Sequence, residues 1–357
     1  MSEVFGMMGS RGHEQLLFCH DEASGLRGII AIHNTSLGPA LGGCRRWHYE
    51  SEIAALDDVM RLSEAMTYKA AAADLPMGGA KSVIWKHSAK DRPTEALAKA
   101  MGRYVDRLKG LYIAAEDVGV DTQFIDWMAS ETPHVMGGET AARGGDPAPY
   151  TARGVVNGIK AGLEHAGKAP ALEGVTIAIQ GVGALGENVA KIALNEGANV
   201  IVAEINEERL AAVREALPKI RVVPLGEILR VECDVLCPCA LGGVVTGENI
   251  GDLNCAVLCP GANNVLGDPL ADAKRLKDAG IIYCPDFVAN GGGLIQLAGL
   301  WCGFDQPELD RRLANIQNAV GTILKDAERM ASAHEAALAY ARKRLEAGKP
   351  LNEFATA

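Results

Sequence analysis

The sequence contains no run of 18 apolar residues, so a membrane-spanning helix is not expected. A basic tract is missing too. Of 357 residues, 35 are Lys or Arg and 45 are Asp or Glu, giving a formal net charge of -10. Such a chain has no patch to displace the counterions of a nucleic-acid backbone, so nucleic-acid partners are not expected. The opening Met1-Ser2-Glu3-Val4-Phe5-Gly6 lacks a basic stretch followed by an apolar one, and no secretory signal is read there. The nine cysteines are odd in number and scattered among apolar neighbours. They read as reduced thiols of a cytoplasmic protein, not as a disulfide framework. No His-x-x-x-His pair offers a helical zinc site, and no G-x-S-x-G elbow offers acyl transfer. Cys233, Cys237 and Cys239 form C-x3-C-x-C, but without a nearby His or a two-residue knuckle they read as core or cofactor-adjacent thiols. No metal is expected.

What is present is glycine, 41 residues of it, and enough length for two domains. The turn-forming stretch from Gly137 to Pro149 marks a boundary. Residues 1–145 are expected to form one domain and 146–329 another, with a C-terminal helix at about 330–357 packing back on the first. Beyond the boundary, strand and helix patterns alternate. A helix is predicted over Gly154–His165, a strand over Val175–Gln180, a helix over Gly186–Glu196 and a strand over Asn199–Ala203. A helix over Glu207–Leu217 and short strands near Val222, Val235, Ala256 and Ile282 follow. The fold class is α/β, with a parallel sheet covered on both faces. In the first half, strands are predicted over 15–19 and 27–33. A helix over Ser51–Ala73 carries Leu56, Val59, Leu62 and Met66 at three- and four-residue steps. The segment Pro307–Leu345 is predicted helical, with breaks near Gly321 and Ser332.

Gly181-Val182-Gly183-Ala184-Leu185-Gly186 matches G-x-G-x-x-G, directly after a β-branched strand and at the start of a helix. In that context the glycines allow a tight turn, approach of a pyrophosphate, and close helix–strand packing. Helix N–H groups then face the phosphates. Glu204 ends the next strand, where a carboxylate accepts from ribose hydroxyls and repels a 2′-phosphate. NAD is therefore expected rather than NADP. The alternative is a glycine-rich turn that binds nothing.

Two lysines stand in apolar surroundings. Continuing the helical stripe from Met66 by three lands on Lys69, and Lys81 closes Pro76-Met77-Gly78-Gly79-Ala80-Lys81 ahead of an apolar strand. Desolvation and a second ammonium both lower a lysine pKa and make it a base near neutral pH. A snorkelling Lys69, a strand-edge Lys81 and a solvated turn residue at Asp117 are the alternatives on spacing alone.

These residues carry a resemblance. Leu37-Gly38-Pro39-Ala40-Leu41-Gly42-Gly43, Met66-Thr67-Tyr68-Lys69, Leu75-Pro76-Met77-Gly78-Gly79-Ala80-Lys81 and Ala115-Glu116-Asp117-Val118-Gly119 resemble the leucine, phenylalanine and valine dehydrogenases. So do Cys237-Pro238-Cys239-Ala240-Leu241-Gly242-Gly243, Gly261-Ala262-Asn263-Asn264 and the run from Pro285 to Gly293. The motifs keep the family's order from about residue 27 to 305. The resemblance implies NAD-dependent oxidative deamination of an apolar L-amino acid by a homo-oligomer. It makes Lys69 the carboxylate anchor, helped by Gly42 and Gly43. Lys81 becomes the base that activates water, and Asp117 the partner that exchanges protons with the amine. Asn263 and Asn264 are placed between amine and nicotinamide. Asp146, Thr151, Ala240 and Asn290 are placed around the cofactor. Leu41, Ala115, Leu294 and Leu297 become the wall for the side chain.

This sequence departs from the family at Ala80, where a third glycine is usual, and at Leu294 and Leu297, where smaller residues are frequent. An apolar wall disfavours glutamate. One methylene changes selectivity by only about 1–3 kcal/mol, so leucine and phenylalanine are harder to separate. Branched aliphatic substrates are expected, with phenylalanine or tryptophan as the alternative. A non-catalytic NAD sensor should lack the two lysines or the aspartate, and all three are present. A 2-hydroxy-acid dehydrogenase should show a His–carboxylate pair with an Arg, and no such set stands near these motifs.

Overall fold

The computed structural model describes residues 4–88, 90–140 and 144–348. These form two compact units. The first holds residues up to Asp146, Leu297–Phe304 and the residues from Arg342 onward; the second holds Pro147–Gln296 and Asp305–Ala341. The sequence places the boundaries near 145 and 330, whereas the chain changes unit after 146, 296, 304 and 341.

In the first unit, helix α1 (Val4–Arg11) precedes strands β1 (Gln15–Asp21), β2 (Leu26–Asn34) and β3 (Ala40–Trp47). Helix α2 (Glu52–Ala72), strand β4 (Gly78–Trp85), helix α3 (Glu95–Arg107), strand β5 (Tyr112–Glu116) and helix α4 (Thr122–Ala129) follow. The sheet order is β1-β2-β4-β3-β5. β1, β2 and β4 pair antiparallel, while β4, β3 and β5 run parallel, as the parallel strands are joined by helical crossovers. Alternation sends Ala40, Cys44, Ala80, Ile84, Tyr112 and Ala114 into one core with Met101 of α3 and Phe124 of α4. The opposite face packs Ile29, Ala31 and Val83 against Leu56, Val59 and Met60 of α2. Ser51 caps α2, its hydroxyl accepting from the Ala54 N–H at 3.1 Å.

The predicted stripe of α2 is buried at Leu56, Val59 and Leu62 but departs after that. The buried side continues through Ser63, Thr67, Ala70 and Ala71, leaving Met66 and Lys69 half-buried at its flank. The backbone dictates this. Gly79 lets α2 come so near β4 that a Cβ there would lie 2.1 Å from the Thr67 nitrogen, so the side facing the sheet takes small residues.

The second unit is built on a six-stranded parallel sheet. Its strands are β6 (Thr176–Gln180), β7 (Asn199–Ala203), β8 (Arg221–Val222), β9 (Cys233–Pro238), β10 (Cys255–Leu258) and β11 (Ile282–Tyr283), in the order β11-β10-β9-β6-β7-β8. Successive strands step outward from β6 in both directions, so the order reverses between β6 and β9. That reversal is where ligands bind in open parallel sheets. Helices α5 (Ala148–His165), α6 (Ala184–Asn195), α7 (Glu207–Ala216), α8 (Pro269–Asp278), α9 (Asp286–Ala289), α10 (Gly292–Cys302), α11 (Gln306–Ala327) and α12 (Ala333–Glu346) complete the chain.

Two helix predictions need correction. α5 begins at Ala148, six residues earlier than expected, because Pro149 falls in the first turn, where a missing N–H costs nothing. α11 passes through Gly321 unbroken; burial of Ile316, Val320, Ile323 and Leu324 outweighs the roughly 1 kcal/mol that glycine costs in a helix. The chain breaks only between α11 and α12, near Ser332. At the end of α12, Arg344 donates to the Leu75 carbonyl at 3.2 Å and pairs with Asp74, both in the first unit. Among the described residues no helix is long and apolar enough to cross a membrane.

Candidate active site

In the first unit the α2-facing side of the parallel strands brings three charged groups together. Leu41 of β3 pairs with Gly79 and Cys44 with Ser82 of β4, which sets Gly43 beside Lys81. On the other side Gly43 pairs with Ala115 of β5. The row therefore reads Lys81, Gly43, Ala115, and the central residue has no side chain. Lys81 reaches across that gap to Asp117, just beyond β5, with its Nζ 2.9 Å from Oδ2. A Cβ at position 43 would lie 3.0 Å from this Nζ, 2.8 Å from the Asp117 Cβ and 2.7 Å from the Glu116 carbonyl oxygen. Glycine at 43 is what allows the pair to form. Gly42 is required as well, since a Cβ there would lie 1.6 Å from the Ala80 carbonyl oxygen. Pairing of β3 with β4 lapses at Gly42 and Gly43 and resumes at Cys44.

The ion pair is part of a longer chain of charges. Arg45, two residues after Gly43 and on the same face, donates through Nε to Asp117 Oδ2 at 2.9 Å and through Nη1 to Asp58 Oδ2 at 3.1 Å. Asp58 also accepts from the Tyr49 hydroxyl at 2.8 Å and from Arg61 at 2.7 Å. Lys81 is buried, with 7% of its surface exposed. Burial pushes its pKa down; Asp117 opposes this, and Arg45 adds to the lowering. Burial works against the Asp117 charge, but Lys81 and Arg45 together outweigh it and hold the carboxyl below its usual range. The arrangement is an ionised aspartate beside a lysine whose pKa is held below its usual value.

Arg45 went unremarked in the sequence because its role depends on strand register. The available signal was its spacing of two from Gly43, which puts it on the same face of the strand. We predict that Arg45→Ala shifts the alkaline-rising limb of kcat/KM to higher pH. Removing this cation raises the Lys81 pKa and frees Asp117 to hold the lysine protonated. An unmoved limb in the pH–rate profile would remove Arg45 from the titration.

Lys69 lies half-buried on α2, on the turn after Thr67. Leu41 and Ala115 are buried, at 1% and 5% exposed. Leu297 is half-buried on the part of α10 assigned to the first unit, and Leu294 is buried on the part assigned to the second. Ala80 is wholly buried beside Cys44, and its backbone is not among the positive-φ positions, which accounts for a methyl group where glycine is usual.

In the second unit the glycine-rich turn has the geometry that a dinucleotide needs. Gly181 has φ +87°, and a Cβ there would lie 2.6 Å from the Ala240 Cβ. A Cβ at Gly186 would lie 2.0 Å from the Gly181 carbonyl oxygen. At Gly183, in contrast, a Cβ would meet only the Arg209 Nη1, at 3.5 Å. The first and third glycines are thus demanded by the fold, while the second borders open space. Gly183 caps α6 without a side-chain hydrogen bond, so the first-turn N–H groups of Leu185 and Gly186 have no capping side chain. Such a cradle fits a pyrophosphate.

Glu204 is more firmly held than expected. Its Oε2 accepts from the Val182 N–H at 2.8 Å, and its Oε1 accepts from those of Ile205 and Asn206 at 2.9 and 3.0 Å. A carboxylate has about four acceptor positions, so roughly one remains for a ribose hydroxyl. Elsewhere in this unit, buried Asn290 donates to the Gly261 carbonyl at 3.1 Å and to the Asn263 Oδ1 at 2.8 Å. Asn264 has φ +52°, and a Cβ at Gly242 would lie 2.7 Å from its carbonyl oxygen. Thr151, in the first turn of α5, donates to the Pro147 carbonyl at 2.9 Å and adjoins Gly293. Asp146 is exposed in the loop before α5.

Comparison with known proteins agrees with this geometry. Residues 13–134 match the family described as Glu/Leu/Phe/Val dehydrogenase, dimerisation domain, and residues 201–347 match Glutamate/Leucine/Phenylalanine/Valine dehydrogenase. A leucine dehydrogenase of Bacillus cereus is 42% identical over 92% of this chain and 89% of its own. A phenylalanine dehydrogenase of Caldalkalibacillus thermarum is 38% identical over 96% of this chain and 94% of its own. The crystal structure of L-tryptophan dehydrogenase from Nostoc punctiforme superposes with a TM-score of 0.86 at 34% identity, covering 96% of this chain and 99% of that one. The chain belongs to the glutamate/leucine/phenylalanine/valine dehydrogenase family and is an NAD(P)-dependent amino-acid dehydrogenase.

Proposed function

We propose that the enzyme uses NAD to deaminate an apolar L-amino acid oxidatively and reversibly, with a branched aliphatic substrate such as leucine or valine preferred. The observation that carries this reading is the buried Lys81–Asp117 pair, 2.9 Å apart, in a setting that lowers the pKa of the lysine. A bound nicotinamide would supply the acceptor for the hydride that leaves the α-carbon. The chain's own residues do the rest. Lys69, with the backbone at Gly42 and Gly43, holds the substrate carboxylate. Asp117 takes a proton from the amine. Neutral Lys81 removes a proton from water as the water oxygen bonds to the imine carbon. Asp117 returns its proton to the nitrogen. The C–N bond breaks as the new hydroxyl loses its proton to Asp117, with ammonia leaving and the 2-oxo acid remaining. Lys81 and Asp117 then release their protons to solvent. Leu41, Ala115, Leu294 and Leu297 offer apolar contacts to the substrate side chain and no partner for a charge.

In the second unit, Gly181–Gly186, Glu204, Ala240, Asn263, Asn264, Asn290 and Thr151 hold the cofactor, with Asp146 in the loop ahead of α5. Glu204 supports NAD, because a fixed carboxylate repels a 2′-phosphate. Assembly from identical subunits in the reducing cytoplasm completes the reading. Phenylalanine or tryptophan is the second reading, favoured by the named activities of two of the relatives.

The test is reduced-cofactor formation with leucine, valine, isoleucine, phenylalanine, tryptophan and glutamate, each with NAD and with NADP, and with ammonia measured alongside. We expect the highest kcat/KM with a branched aliphatic substrate and NAD, and essentially none with glutamate. Preference for glutamate or for NADP would overturn the corresponding part.

A further inference from the structure

Arg209 sits in the first turn of α7, where its backbone N–H is accepted by the capping side chain of Asn206 at 2.9 Å. Its side chain is exposed, and among the described residues no carboxylate stands within ion-pair distance of it. This is notable because Glu207 and Glu208 are its immediate neighbours in the sequence. The guanidinium extends instead toward the glycine-rich turn. Its Nη1 would be 3.5 Å from a Cβ on Gly183, and no other atom lies within 4 Å of that position. The open space above Gly183 is therefore bordered by one cation and by the first-turn N–H groups of α6, which have no capping side chain.

From this geometry we propose that Arg209 is a phosphate-binding residue of the cofactor site, engaging the pyrophosphate on the adenosine side. The inference rests on the dinucleotide reading of the second unit and deepens it. Helix N–H groups contribute only partial charges to a dianionic group. A planar guanidinium adds a full charge and paired donors shaped for phosphate oxygens. Glu204, held by three backbone N–H groups, adds a negative charge nearby, and Arg209 offsets it where the phosphates lie. The two residues divide the adenosine half between them, carboxylate toward ribose and guanidinium toward phosphate.

Calorimetric titration of the wild-type enzyme and Arg209→Ala with adenosine, ADP and adenosine 2′,5′-bisphosphate tests this without turnover. Loss of one charge-assisted contact is expected to weaken ADP binding by about tenfold, with adenosine affinity changed less than twofold. Arg209→Lys should restore part of the loss, and added salt should narrow the difference. Equal weakening of adenosine and ADP, or no change in ADP affinity, overturns the proposal. Weakening of the 2′,5′-bisphosphate alone overturns it too, by moving the contact to a 2′-phosphate. Wild-type protein that fails to bind ADP overturns the dinucleotide reading itself. Arg209 is exposed, so an unchanged unfolding temperature in the variant is expected and separates lost contact from lost fold.

Discussion

Lys81→Ala is expected to lower kcat for deamination by roughly 10³- to 10⁴-fold, at the upper end of what a positioned acid–base group contributes. ADP affinity should stay at the wild-type value, because Lys81 belongs to the first unit and the glycine-rich turn to the second. The variant should also fold. Removing one partner of a buried ion pair costs about 3–5 kcal/mol when the other charge is left alone. Asp117 is not left alone here, since the Arg45 Nε remains 2.9 Å from its Oδ2. The change instead leaves a cavity and a still-compensated carboxylate. Steady-state kinetics with leucine and NAD, with ADP titration on the same preparation, separate the two effects. Near-wild-type turnover would remove Lys81 from the chemistry. Parallel loss of ADP binding would show that the substitution disrupts the fold.

The second large effect is expected from a single methyl group. Gly43→Ala places a Cβ 3.0 Å from the Lys81 Nζ, 2.8 Å from the Asp117 Cβ and 2.7 Å from the Glu116 carbonyl oxygen. The lysine can swing aside, but the backbone of β5 cannot do so without disturbing its pairing with β3. A displacement on the order of 1 Å at a catalytic group costs about 10²-fold in rate. Overpacking of this kind costs about 1–3 kcal/mol in stability. The two losses should appear together, in kcat and in the unfolding temperature. An alanine variant with unchanged kcat would show that Lys81 and Asp117 do not meet across position 43 during turnover.

These two predictions draw on different kinds of legibility. Lys81 was visible in the sequence as a cation leading into an apolar strand, and the G-x-G-x-x-G turn as glycines between strand and helix. Both are local patterns. Arg45 was not visible, because its place beside Asp117 follows from a parallel pairing of strands some 70 positions apart in the chain. The burial of Lys69 is less than its spacing predicts, for a related reason. Stepping by three from Met66 predicts burial, but the side of α2 that meets the sheet is fixed by Gly79 and runs through Ser63 and Thr67. Gly321 and Pro149 mislead in the same way, as breakers that the helix tolerates: glycine inside a helix held by packing, and proline in a first turn. The C-terminal helix expected to pack back on the first unit does so only from Arg342, and the return of Leu297–Phe304 has no local signature at all. Only tertiary contacts define it.

Glu204 carries more than the role proposed for it. Its position just after β7 is what leads to the proposed ribose contact. The three backbone N–H groups it accepts make it also the brace that ties the glycine-rich turn to the start of α7. The proposed ribose contact and the local architecture rest on one carboxylate there.

The central claim is that a neutral amine at position 81, beside an ionised Asp117, performs the proton transfer. Chemical rescue measures this most directly. Leucine-dependent NADH formation by Lys81→Ala would be followed as ethylamine is added across a range of pH. The account predicts that activity returns in proportion to the unprotonated amine, rising with pH at fixed total ethylamine, while Asp117→Ala shows no comparable recovery. Activity that ignores ethylamine, or that follows the protonated form, would contradict it.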